Sequence, residues 1–239
     1  MAKIIQKILD LIFPPICAAC EKKLPTKNTY VGVCEPCFNS IEIASGFICP
    51  KCKKRLPEIK PLGGRFCHPE EKFILAAATN YKNEAARKLI YGLKYGHRRN
   101  IAETLAVILK KYLEKLPPID FKDFIVLPLP LHKKKERARG FNQTFLIAQA
   151  LNSYYPLNIR HDLLFKNKPT VSQIETKDYA TREKNVAGSF SIRHPEEVES
   201  KNIIVLDDVF TSGATLREAV KTLKGVGAKK IIALVIAKA

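Results

Sequence analysis

The chain has no tryptophan, and beyond Cys67 it has no cysteine. The first absence removes the side chain best suited to stacking on unpaired bases. Phenylalanine and tyrosine remain, and their spacing reads mainly as core. The second absence confines all seven cysteines to residues 17–67 and leaves 172 residues without one. A chain-wide disulfide framework is thereby excluded. No apolar run approaches the length of a membrane span. Acidic residues are scarce too: 23 against 41 basic ones give a formal charge of +18. That imbalance points to acidic partners, whether nucleic acid, phosphorylated small molecules or an anionic membrane surface.

What is present fits one medium domain and one small one: 239 residues, 46% of them hydrophobic. At the start, Ile4, Ile8 and Ile12 recur every four residues, as on a short amphipathic helix. Lys7 and Asp10 interrupt the apolar stretch that a signal peptide needs. A cytoplasmic protein is expected.

In a reducing compartment clustered cysteines favour metal over disulfides. Three pairs have C-x-x-C form: Cys17/Cys20, Cys34/Cys37 and Cys49/Cys52. Such a turn aims two thiolates at one point, and two turns complete a tetrahedral zinc site. "CAAC" and "CEPC" stand thirteen residues apart, which predicts zinc at Cys17, Cys20, Cys34 and Cys37. Cys49 and Cys52 are followed only by Cys67, with His68 as the nearest fourth ligand. Adjacent ligands on one metal are awkward, so this second site is either filled or degenerate. Four protein ligands leave no open coordination position, so zinc here substitutes for a hydrophobic core and carries no catalysis. The cysteine-rich domain is expected to span residues 1–72 and the second domain residues 73–239.

From residue 73 onward the texture is alternating. "RNIAETLAVILKKYLEKL" carries Ile101, Leu105, Ile108, Leu109 and Tyr112 at helical spacing, and prolines end it. "FIVLPLP", "NIIVL" and "KKIIALVIA" read as buried strands, and "FNQTFLIAQALNSYY" and "TLREAVKTLK" as helices. Apolar strands alternating with helices predict an α/β fold, a mostly parallel sheet with helices on both faces.

In such a sheet, ligands bind where strands hand over to helices. "IIVLDDVFTSGATLREA" has that form: an apolar strand, Asp207 and Asp208, then Thr211, Ser212, Gly213, Ala214 and Thr215 leading into a helix. Free amides at the helix start suit a phosphate, and the hydroxyls add hydrogen bonds. The carboxylates would repel that phosphate and suit a neutral diol. A ribose 5-phosphate meets both demands. No lysine follows the glycine, so this is not a Walker A loop, and Gly225 and Gly227 lack the third glycine of a dinucleotide fingerprint.

The motif resembles the binding motif of type I phosphoribosyltransferases for phosphoribosyl pyrophosphate (PRPP). With "LIFPPICAAC", "LIYGLKYG", "LPLPLHKKKERARGFNQ" and "TREKNVAGSF" in the same order, nearly the whole chain resembles the competence protein ComF family (ComFC/GntX-like). The resemblance implies a phosphoribosyltransferase-like sheet behind a small zinc-ribbon-like domain. It makes Asp207 and Asp208 the ribose and Mg²⁺ residues, and 211–215 the 5-phosphate loop. The turn with His132, Lys133, Arg137, Arg139 and Gly140 becomes the pyrophosphate candidate. Thr170, Gln173 and Arg182 fall on the mobile loop, and Lys94, Tyr95 and Gly96 match another family segment. Zn²⁺ would be structural, and Mg²⁺ would arrive with PRPP. Two functions follow from the resemblance. One is a protein of DNA uptake, natural transformation or single-stranded DNA handling, acting with a competence DNA helicase or translocase. The other is an active Mg-dependent phosphoribosyltransferase acting on a base or amine. The first is favoured, because no segment reads as an acceptor pocket.

Overall fold

The structure, a computed structural model, describes residues 14–25, 27–56, 67–96, 98–168 and 186–239. The isoleucine-spaced start and the mobile-loop residues Thr170, Gln173 and Arg182 lie outside them. A five-stranded sheet spans residues 74–238 in the order β1–β7–β6–β2–β3, with every neighbouring pair parallel. Its strands are β1 (Ile74–Asn80), β2 (Phe124–Pro128), β3 (Asn158–Ile159), β6 (Asn202–Phe210) and β7 (Lys230–Lys238). Two short strands, β4 (Leu164–Lys166) and β5 (Phe190–Ile192), pair antiparallel beside it.

Alternate residues of the central strands face opposite ways, and each face has its own core. Ile204, Leu206, Ile232 and Leu234 pack with helices α2 (Glu84–Tyr95), α3 (Ile101–Leu113) and α5 (Gln143–Leu151). Ile203, Val205, Ile231 and Ala233 pack with α6 (Ala214–Gly225). The sheet is covered on both faces, as the uninterrupted apolar strands predict.

Two differences from the sequence reading bear on function. Strand β6 does not end at Leu206 but continues through the acidic pair to Phe210. β2 stops at Pro128, opposite Leu206, whereas β7 goes on pairing with Asp207, Val209 and Phe210. Prolines at 128 and 130 donate no ladder hydrogen bond and end β2 early. The second difference is α4 (Lys133–Arg139), a short helix where the sequence predicts a turn. Its residues are all polar apart from Ala138, and none is buried, so no apolar periodicity announces it.

The cysteine-rich region, with its short helix α1 (Glu35–Asn39), lies directly on this domain. Ile48 and Leu75 exchange backbone hydrogen bonds of 2.8 and 3.1 Å. From α3, Thr104 Oγ1 donates to the carbonyl of Val31 (2.6 Å), and Tyr112 Oη donates to that of Gly46 (2.7 Å). Tyr112 is fully buried. Tyr112→Phe leaves the Gly46 carbonyl without that donor and should destabilise the chain by about 1 kcal/mol in urea denaturation. An unchanged midpoint would mean that this contact does not couple the two regions.

Candidate functional site

The cysteines form two four-donor clusters, Cys17/Cys20/Cys34/Cys37 and Cys49/Cys52/Cys67/His68, with the donor atoms of each within 4.8 Å of one another. The Sγ atoms of Cys20 and Cys34 are 3.7 Å apart, and those of Cys52 and Cys67 are 3.6 Å apart. A disulfide requires about 2.05 Å. Tetrahedral zinc with Zn–S bonds of about 2.3 Å separates its sulfurs by about 3.8 Å. The donor sets fit zinc. The adjacent Cys67 and His68 both converge, with His68 Nδ1 3.3 Å from the sulfurs of Cys49 and Cys67. The second site is therefore complete in its ligands. Burial opposes ionisation of Cys17, but N–H groups of Cys20, Cys34 and Ala19 outweigh it and bring the thiol down to about 6. Neighbouring Cys49, then burial, push Cys67 up to about 12. Four sulfur and nitrogen donors this close need a cation to share their charge, which zinc supplies.

The two clusters are copies of one unit. "ICAACEKKLP" begins at Ile16 and "ICPKCKKRLP" at Ile48, thirty-two residues later. Cys17 N–H donates to Lys22 O and Cys49 N–H to Lys54 O (2.8 and 2.9 Å). Glu21 and Lys53, each just after its C-x-x-C, share positive φ values of 63° and 60°. The repeat is visible in the sequence, and the sequence reading passed over it.

At the carboxyl edge of β6, Asp208 is buried, with 4% exposure. Its Oδ1 accepts from Lys94 Nζ at 2.7 Å, and its Oδ2 accepts from Gln143 Nε2 at 2.7 Å. Arg139 in turn donates to Gln143 Oε1. Burial opposes the charge on Lys94, but Asp208 and then Asp207 outweigh it and hold the amine above its usual range. Asp207 is half-buried, and its Oδ1 accepts the N–H of Asp208 at 2.8 Å. Burial, then the Asp208 charge, push the Asp207 carboxyl up to about 7. Lys166 in β4 feels the charge of Asp207, but burial, then Lys135, outweigh it and bring its amine down to about 8.

Two residues past the strand, Gly213 sits at φ +81° and opens α6. A Cβ there would lie 2.5 Å from the Phe210 ring and 2.8 Å from the Arg217 guanidinium, so only glycine fits. Thr211, Ser212 and Thr215 are half-exposed around it, while Ala214 is buried. The pyrophosphate candidates separate. His132 caps α4, its Nδ1 accepting the N–H of Lys134 at 3.3 Å. Gly140 closes α4 with φ +78° and accepts from Arg99 at 2.9 Å. Lys133 and Arg137 are exposed on α4, and Arg139 turns toward the acidic pair. Asn142 caps α5, its side chain accepting the N–H of Thr144 at 3.1 Å.

Sequence reasoning missed the role of Gln143, the nearness of Lys166 and the exposure of Tyr91 and Tyr95. The two tyrosines sit one turn apart on α2, 61% and 49% exposed, with ring centroids 4.8 Å apart. The Arg139 guanidinium lies 5.6 Å over Tyr95. Spacing of i and i+4 reads as core, but the buried face of α2 is Ala85, Ala86, Leu89, Ile90 and Leu93.

Two expectations follow. Atomic absorption should find about two zinc per purified chain and about one in Cys34→Ser; retained stoichiometry in that variant would contradict the ligand assignment. A carboxyl raised from 3.8 to about 7 on folding stabilises the folded chain at low pH and withdraws that stability as pH climbs through 7. The stability of the wild type relative to Asp207→Asn should thus fall between about pH 4 and about pH 7 in urea titrations. A flat difference would contradict the raised carboxyl of Asp207.

A double zinc ribbon domain matches residues 8–69, and a phosphoribosyl transferase domain matches residues 131–239. Competence protein ComFC of Bacillus subtilis is 25% identical over 87% of this chain and 88% of its own. DNA utilization protein YhgH of Escherichia coli is 25% identical over 92% and 96%, and competence protein F of Haemophilus influenzae 24% identical over 83% and 93%. Among solved structures, glutamine PRPP amidotransferase from B. subtilis aligns with 57% of this chain and 26% of its own, at 18% identity and a TM-score of 0.35. That likeness adds nothing to the fold read from the sheet. In sequence and in domain order, a double zinc ribbon ahead of a phosphoribosyl transferase domain, the chain is similar to the competence and DNA utilization proteins.

Proposed function

We propose that the chain binds PRPP, or a related ribose 5-phosphate, at the end of β6, and that this binding serves DNA uptake or the handling of single-stranded DNA. The observation that carries the reading is the acidic pair beside the 211–215 loop: a half-exposed Asp207, a buried and anchored Asp208, and three hydroxyl side chains at the start of a twelve-residue helix. Amides at that helix start would take the 5-phosphate. Asp207 would accept from a ribose hydroxyl. Asp208 keeps spare lone pairs on both oxygens, so Lys94 and Gln143 can hold it while it accepts another hydrogen bond. Arg139, Lys133, Arg137 and Lys166 would face the pyrophosphate, and Mg²⁺ travelling with PRPP would spread its charge.

The DNA side of the proposal draws on the relatives' names and on charge. α4 presents Lys133, Lys134, Lys135 and Arg137 to solvent, and through Arg139 it adjoins the exposed Tyr91–Tyr95 pair. Cations beside a stacking surface suit an unpaired strand. A competence DNA helicase or translocase is the protein partner this role calls for. Ligation through thiolates suits a reducing compartment, and we assign the protein to the cytoplasm. We set the domain boundary at residues 72/73, just before β1. No helix among the described residues is long and apolar enough to cross a membrane.

Calorimetric titration with Mg-PRPP should give saturable binding, and Asp207→Asn with Asp208→Asn should abolish it while zinc content stays the same. Unaltered binding in the double variant would overturn the ribose assignment. Pyrophosphate release seen by ³¹P NMR with an added base or amine would move the reading to an active transferase.

A further inference from the structure

Arg217, in the first turn of α6, makes contacts in two domains at once. Its Nη1 donates to the carbonyl of Ser212 at 2.7 Å, inside the 211–215 loop. Its Nη2 donates to the carbonyl of Pro50 at 3.1 Å, between the ligands Cys49 and Cys52. Nε and Nη2 both donate to Oε1 of Glu71, at 3.1 and 3.0 Å. Glu71 is only 7% exposed, and its own N–H donates to the carbonyl of His68 at 3.1 Å. One guanidinium therefore holds both limbs of the second metal cluster and the loop together. A lysine, with a single nitrogen, could not reach these acceptors in a fixed fork.

The packing leaves little slack around it. The guanidinium lies 6.0 Å from the Phe210 ring centroid, under the position where Gly213 tolerates no Cβ. Ile48, beside Cys49, shares an apolar cluster with Phe210, just before the loop, and Ala214, within it. The first cluster is wired differently. Its segment is held by Lys88 Nζ donating to Ala19 O (2.7 Å) and Thr104 Oγ1 donating to Val31 O (2.6 Å), both from helices on the other face of the sheet.

We propose that Arg217 is a positioning residue that makes the shape of the 211–215 loop depend on the second metal site. The inference rests on the reading of that loop as the 5-phosphate site. When the Cys49/Cys52/Cys67/His68 cluster gives up its metal, its two limbs are free to separate, and the Pro50 and Glu71 acceptors move off the guanidinium. The buried carboxylate of Glu71 then loses its cation, the Ser212 carbonyl loses its donor, and the loop loosens. The exposed Cys67 makes this cluster open to a chelator. The two ribbons thus differ in kind: the first is a support, and the second sets the competence of the ligand site.

The test uses the full zinc-loaded chain and two readouts, amide hydrogen exchange at 211–215 and calorimetric titration with Mg-PRPP. Arg217→Gln should keep both zinc equivalents, speed exchange in the loop and weaken PRPP by about tenfold. Cys67→Ser should lose one zinc and do the same. The double variant should be no worse than either alone, the mark of one shared connection. Arg217→Lys should not restore the loop, and Cys20→Ser, which breaks the first cluster, should leave loop exchange unchanged. If Cys67→Ser fails to fold, Glu71→Gln takes its place and should match Arg217→Gln. Wild-type exchange in the loop of Arg217→Gln, or of Cys67→Ser after its zinc is lost, overturns the inference. If the wild type binds no PRPP while the exchange pattern holds, the ligand reading fails and the positioning role stands.

Discussion

The ion pair between Lys94 and Asp208 joins a helix to the open end of the sheet, and the site depends on it. A carboxylate taken out of water without a partner loses several kcal/mol of solvation. Asp208 is buried where β6 has run past β2, so its partners must come from other elements: Lys94 from α2 and Gln143 from α5. Helix α2 can deliver Lys94 only when Leu89, Ile90 and Leu93 are packed on the sheet. The same docking turns Tyr91 and Tyr95 outward. Core packing, site charge and exposed surface are three results of one helix placement.

The neighbouring Asp207 has a different setting. Among the described residues it has no ion pair like that of Asp208, and burial, then the Asp208 charge, make its carboxyl reluctant to ionise. Successive residues on a strand face opposite sides, which is why one acid is consumed in structure while the other keeps an open flank. The zinc ribbons follow an equally economical logic. A region of this size buries too little apolar surface to hold itself together, and two closed metal clusters replace the missing core. Both ribbons pack into the core on the α2–α3 face, and the second also reaches the opposite face and the loop, through Ile48 and Arg217.

Much of this was legible in the residues. Period and punctuation mark α3, β2, β6, α6 and β7, and the C-x-x-C spacing marks the first cluster. The acidic pair and its glycine identify the business end of the sheet. What could not be read has physical causes. Lys94 and Asp208 are over a hundred residues apart, and nothing local announces their meeting. α4 has no apolar face, and the i, i+4 tyrosines mimic a core stripe. Whether neighbouring Cys67 and His68 can serve one metal depends on a backbone bend that composition does not encode. The thirty-two-residue repeat, by contrast, was in plain view.

The most direct test of the central claim is a crystal structure of the zinc-loaded chain soaked to saturation with Mg-PRPP. The account predicts the 5-phosphate against the backbone amides of 211–215, with ribose hydroxyls within hydrogen-bond reach of Asp207. Density for PRPP at another surface, or an empty β6 edge at saturating ligand, would contradict it.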